Sequence, residues 1–189
     1  MGSPADEAPR EPGSIGTWFG LVATLLVGGG VLVLCAAGIG VRSALFAFEL
    51  HFVAMAVAVL LDKLIAPELR GPRFDVRAGE VRIFELLGVR VFQRFLNAIG
   101  WNRLLRDPRV FDGTRATLAS YERATRHGEN AHAWIFVVML APIGAALLRG
   151  WWDAALWIGS MSVLFHAYPV MLQRTMRVRL RELLARERR

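Results

Sequence analysis

Four residues at the edges of two apolar runs are the chain's best candidates for chemistry: Glu129, His132, His166 and Gln173. Glu129 and His132 are three apart and share a face if the segment is helical. A carboxylate beside an imidazole fixes its tautomer and raises its basicity. The imidazole then takes a proton from a hydroxyl, the first requirement of acyl transfer. His132 is the expected general base and Glu129 its orienter. His166 and Gln173 are expected to contact the acceptor or the reacting carbonyl, whose oxyanion needs a donor. Arg126 and Arg174 are expected to hold the phosphates of an acyl carrier. Plainer uses of the same residues stay open. Glu129 and His132 also suit solvated interfacial positions. His166 also suits a core histidine bonded to a carbonyl freed near Pro169. Arg174, Arg177 and Arg181 fall on one helical face, as anchors to lipid phosphate would.

Glu129-x-x-His132 is half of a di-iron bundle pattern, which wants two copies and two further carboxylates. The chain has one copy and four histidines. A single zinc on His132, His166 and Glu129 is the metal alternative, and it would make the chain a zinc-dependent membrane hydrolase. No metal or cofactor is assigned. An acyl donor, on coenzyme A or an acyl carrier, is the expected co-substrate. There is no Gly-x-Ser-x-Gly and no phosphate-binding glycine loop. The single Cys35 sits inside an apolar run, where it suits an inert thiol.

These groups are positioned by helices that cross a membrane. The chain is 54% hydrophobic, and the apolar residues come in runs rather than periodically. Residues 17–40 carry no charge, and about 20 apolar residues cross a bilayer core. Three more runs follow at 43–65, 131–148 and 151–172. The expected fold is an all-α integral membrane protein with four transmembrane helices. A cytoplasmic, interfacial helical loop, 66–130, joins spans two and three. Residues 1–16 read as a disordered tail and 173–189 as a basic C-terminal tail. The first run is longer than a signal h-region, and an acidic segment precedes it, so it reads as retained.

Depth along these spans sorts the ionisable residues. His132 falls at the inner boundary of span three. His166 lies six residues before the end of span four, roughly 9 Å deep. His51 lies in the outer half of span two and is excluded from the site on that ground. Glu49 is expected to pair with Arg42. Gly28-Gly29-Gly30 permits close helix approach in span one.

The formal charge of +7 does not indicate nucleic acid, because its distribution explains it. Residues 66–130 and 173–189 hold 19 of the 23 Lys and Arg, and each outer turn holds one, Arg42 or Arg149. The positive-inside rule then places both termini and the loop in the cytoplasm. Membrane lipids are the expected partners. Within the loop, Phe84, Leu87, Val91 and Phe95 keep a helical period, with Gly88 as a break. Arg-and-Phe helices of this kind lie in the interface plane. Asp107-Pro108 and Asp112-Gly113 signal turns, and Asp112 or Thr114 can cap a helix leading into span three.

Several short motifs, in order, resemble a known family. They are Arg73-Phe74-Asp75, Glu85-Leu86-Leu87-Gly88-Val89-Arg90, Asp112-Gly113, Thr125-Arg126-x-x-Glu129-x-x-His132, Tyr168-Pro169-Val170-Met171-Leu172-Gln173-Arg174 and Arg177-x-Arg179-Leu180. The chain resembles the glycosyl-4,4'-diaponeurosporenoate acyltransferases of staphyloxanthin-type carotenoid synthesis over about 72–184. It departs from their pattern at His166 and Thr175-Met176. The resemblance implies a bacterial inner-membrane enzyme. It would move a fatty acyl group from an activated donor to a hydroxyl of a (glyco)lipid or glycosylated carotenoid-like acceptor. Tyr168, in the best-matched run, joins the expected substrate-binding residues. The rival from another class is a non-catalytic membrane module that organises or binds lipid enzymes.

Overall fold

The structure, a computed structural model, describes residues 14–65, 67–101 and 110–187. Among them every regular element is helical. Helix α1 is Ile15–Gly38 and α2 is Ala44–Ile65. Two short helices follow, α3 at Ala78–Leu86 and α4 at Val89–Ala98, joined at Gly88 as the periodicity predicts. Helix α5 runs Leu118–Leu148, and α6 is Trp152–Ser162. A π-helical turn, Val163–Ala167, leads without a break into α7, Tyr168–Glu187. The expected turn at Asp107-Pro108 and most of the expected disordered tail lie outside the described residues. Ile15 and Gly16 of that tail already belong to α1.

Four helices are long and apolar enough to cross a membrane: Ile15–Gly38, Ala44–Ile65, Arg115–Leu148 and Trp152–Arg186. Their outward surfaces are apolar. Leu26 and Leu34 on α1, Trp134 and Val138 on α5, and Leu156 on α6 are all exposed. Apolar faces left uncovered on such helices suit lipid. Inside, Ala47 of α2, Ile135 and Met139 of α5, and Ile158 of α6 form the buried core. Helix α1 packs on α2, and Gly28 permits it. A Cβ at that position would lie 2.9 Å from Val53, whereas Gly29 and Gly30 face open space.

At one end of the bundle, residues 39–43 and 149–151 turn the chain. There Arg42 Nε donates to both carboxylate oxygens of Asp153, at 2.9 and 3.0 Å. This replaces the expected Arg42–Glu49 pair. Glu49 instead lines a shallow groove between α1 and α2 with Thr24 and Gly28. The turns bring Arg42 level with Asp153, and Glu49 lies about two helical turns further in.

At the opposite, basic end, the helix expected to lead into span three is continuous with it and begins at Leu118, with Asp112 accepting from the Thr114 N–H and the Thr117 hydroxyl just before it. The end of the chain differs from expectation. Residues 173–187 are no tail. They continue the fourth crossing as α7 and pack along α5. Two helices therefore project together beyond the apolar stretches, and α3 and α4 pack against α7 there.

Candidate active site

The projecting pair buries charge. Glu122, Thr125 and Glu129 of α5 and Arg177 of α7 are all at most 7% exposed. Burying an ion is costly unless partners replace its water. Here four arginines face four carboxylates. Arg177 donates to Glu129 Oε2 at 2.6 Å, to Thr125 Oγ1 at 3.0 Å and to the Phe74 carbonyl at 3.1 Å. Arg181 bridges Glu122 and Asp75. Arg126 donates to both oxygens of Glu122, at 2.7 and 3.2 Å, and to the Leu69 carbonyl. Arg174 donates to Glu129 Oε1 at 2.6 Å, twice to Glu80, and to the carbonyls of Arg73 and Asp75.

This lattice changes the expected roles of two residues. Glu129, placed by spacing beside His132, gives both oxygens to Arg174 and Arg177, and no hydrogen bond joins it to His132. Sharing a helix face brings the two near, but buried guanidinium groups are the stronger claim on a carboxylate. Arg174 is not free to hold donor phosphates as expected. A guanidinium has five N–H groups, and all five of Arg174 are directed at protein acceptors. Arg126 retains two N–H groups beyond its three bonds and is only partly buried. Tyr168 spends its hydroxyl proton on the Leu87 carbonyl at 2.8 Å and packs on Phe92, tying the α3–α4 turn to α7.

The zinc alternative loses its third ligand to the same lattice, since Glu129 faces arginines. Among the described residues no group of three His, Cys, Asp or Glu is arranged to hold a metal.

The imidazoles do meet. His132 Nδ1 lies 3.2 Å from His166 Nδ1. His166 is fully buried, and its other nitrogen, Nε2, lies 2.8 Å from His51 Nδ1. His51, also fully buried, reaches the Ile158 carbonyl with Nε2 at 3.2 Å. The exclusion of His51 by depth is therefore overturned. The Arg42–Asp153 pair sets a common level, and His51 and Ser162 each lie nine residues beyond it, about 13 Å. From that height one ring reaches up to Ile158 and down to His166. Counting from run boundaries misses this, because it places His51 against the membrane's edge rather than against its neighbour helix.

Pro169 explains the local backbone. It has no N–H, so the carbonyl of Phe165, four residues earlier, loses its helical donor. The chain answers with the π turn Val163–Ala167, a form that recurs at functional sites. His166 sits in that turn.

Gln173 is a polar side chain left uncommitted. It makes no hydrogen bond among the described residues and is partly buried against Gly128, where a Cβ would lie 2.8 Å from its Nε2. Gly128 is one turn from His132 on the same face of α5. Spacing along the chain gives no signal for His127, whose Nδ1 lies 2.8 Å from an oxygen of Asp62 and fastens α2 to α5.

A family model described as glycosyl-4,4'-diaponeurosporenoate acyltransferase matches residues 72–186. The chain belongs to this family. No curated protein and no solved structure matches it. The acyltransferase match takes in nearly all of the ion lattice, with His132, His166 and Gln173. Helices α1 and α2, and with them His51 and Asp62, lie outside the matched residues.

Proposed function

We propose that the chain is a membrane acyltransferase. It moves a fatty acyl group from an activated donor to a hydroxyl of a (glyco)lipid or glycosylated carotenoid-like acceptor. The observation that carries this reading is the meeting of His132 and His166 at 3.2 Å, within the residues that match an acyltransferase family. His132 acts as general base. It takes the acceptor hydroxyl proton as that oxygen bonds to the thioester carbon. The C–S bond breaks, and the thiolate leaves and is protonated. Gln173, packed against Gly128 one helical turn from His132 and without a hydrogen bond among the described residues, donates its amide N–H to the oxyanion. Arg126, with two N–H groups to spare, takes a donor phosphate. Arg174 and Glu129 hold α5, α7 and the 72–80 segment in register around the site.

The Arg-rich end faces the cytoplasm, where activated acyl donors are made, and both termini lie on that side. The site then sits at the headgroup boundary of a bacterial inner membrane, which suits an acceptor with a polar head and a lipid tail. The test uses purified protein in nanodiscs, a radiolabelled acyl thioester and an extracted glycolipid acceptor. Native protein is expected to form labelled ester. His132→Ala is expected to lose about 100-fold or more of that rate while inserting normally. Unchanged turnover in His132→Ala would refute the assignment. Absence of any ester from native protein, across coenzyme A and carrier-bound donors, would favour the non-catalytic module.

A further inference from the structure

The three imidazoles are not interchangeable, because a carbonyl stands at the far end of their chain. A carbonyl oxygen only accepts, so the His51 nitrogen facing Ile158, Nε2, must carry a proton. Neutral imidazole has one N–H, which leaves His51 Nδ1 bare. The nitrogen 2.8 Å from it, His166 Nε2, must then be the donor. That in turn leaves His166 Nδ1 bare. At 3.2 Å it can only accept from His132 Nδ1. His132 therefore holds its proton on Nδ1, and its Nε2 carries the free lone pair.

From this we infer that His51 is a positioning residue. Acting through His166, it fixes the tautomer of His132 and leaves Nε2 as the proton-accepting nitrogen. The inference rests on the proposed role of His132 as base. It gives that base a support from α2, outside the residues that match the family, where Glu129 from the same helix supplies none. Burial favours this use. His51 and His166 are both 0% exposed, so neither reaches a substrate, and each has its two ring nitrogens spent on the chain. Packing holds the geometry, with Phe165 edge-on to His51 and to Phe52.

Two measurements test it. The first needs no substitution. Native protein with ¹⁵N-labelled histidine rings, in nanodiscs, is read by solid-state NMR, with single His→Gln variants used only to assign signals. The expected result is a proton on Nε2 of His51 and His166 and on Nδ1 of His132. A proton on Nε2 of His132 would overturn the inference, whatever the variants do. The second is kinetic. In His51→Phe, ring volume is kept but His166 Nε2–H loses its acceptor. Its kcat is expected to fall about 100-fold, as when an imidazole is no longer held in one tautomer. KM for the acceptor is expected to stay within about twofold. His132 is expected to show both tautomers. Native kcat and a single Nδ1–H tautomer in this variant would overturn the inference. If His132→Ala is inactive at the same time, the base assignment stands without it. If His132→Ala turns over normally, both fail together.

Discussion

Gln173 has the proposed role that a single substitution tests most simply. Its amide is a polar group near His132 that the fold does not spend, and Gly128 leaves the room it occupies. Gln173→Leu removes the oxyanion donor while keeping the side chain's reach. Its kcat is expected to fall about 100-fold, with little change in acceptor KM, as when a single oxyanion-hole donor is lost. Equal losses in kcat for every acceptor, measured in the nanodisc assay, would fit that role; a change confined to KM would mark Gln173 as a binding residue instead. At this scale the sequence is readable where spacing and helix phase decide contact. Depth alone places His132 and His166 together. Spacing misleads where a stronger partner competes. Glu129 is on the face of His132, but Arg174 and Arg177 come from another helix, and spacing along α5 carries no information about them.

Two features of the helices govern whether the site forms. One is the π turn. Pro169→Ala restores an N–H able to bond the Phe165 carbonyl, which lets Val163–Ala167 wind as α-helix. His166 is then expected to rotate away from His132. Turnover should drop at least tenfold while the helical circular dichroism stays native. Native turnover in Pro169→Ala would show that the π turn is not needed for the site. The other is the ion lattice. Glu129→Gln leaves Arg174 and Arg177 facing a neutral amide in a buried setting. It is expected to destabilise the protein by about 3 kcal/mol, read as a lowered midpoint of thermal unfolding in detergent. A midpoint shift within a degree or two would mean the lattice is held together elsewhere. Run length alone makes the four crossings legible. It does not show that α7 continues past the membrane, because residues 173–187 are polar and look like a tail. Pairing across the two helices, Glu129 against Arg174 and Arg177 and Glu122 against Arg181, supports that continuation.

For the whole molecule, the basic end has a second exposed apolar surface besides those of the crossings. Leu86, Leu87, Val91 and Phe95 of the α3–α4 pair are exposed on one side, while Val89 and Phe92 are buried and the pair packs on α7. Arg90 and Arg94 interleave with them. An exposed apolar face with basic neighbours suits burial at the headgroup boundary. Amide hydrogen exchange over 78–98 is therefore expected to be slow in nanodiscs. Leu86→Glu together with Val91→Glu is expected to speed it by up to about a thousandfold, since two side chains worth about 2 kcal/mol each are lost and about 1.4 kcal/mol is tenfold. Exchange that ignores the charges would place this surface in water. The helical period of Phe84, Leu87, Val91 and Phe95 with its break at Gly88 foretells the α3–α4 pair, but no local pattern encodes the contact between α2 and the fourth crossing.

Whether His132 carries acyl transfer is tested by comparing lipid extracts, by mass, from cells carrying no protein, native protein or His132→Ala. A new species is expected with native protein alone, heavier than its precursor by one fatty-acyl increment. The same species at the same level with His132→Ala would contradict that role.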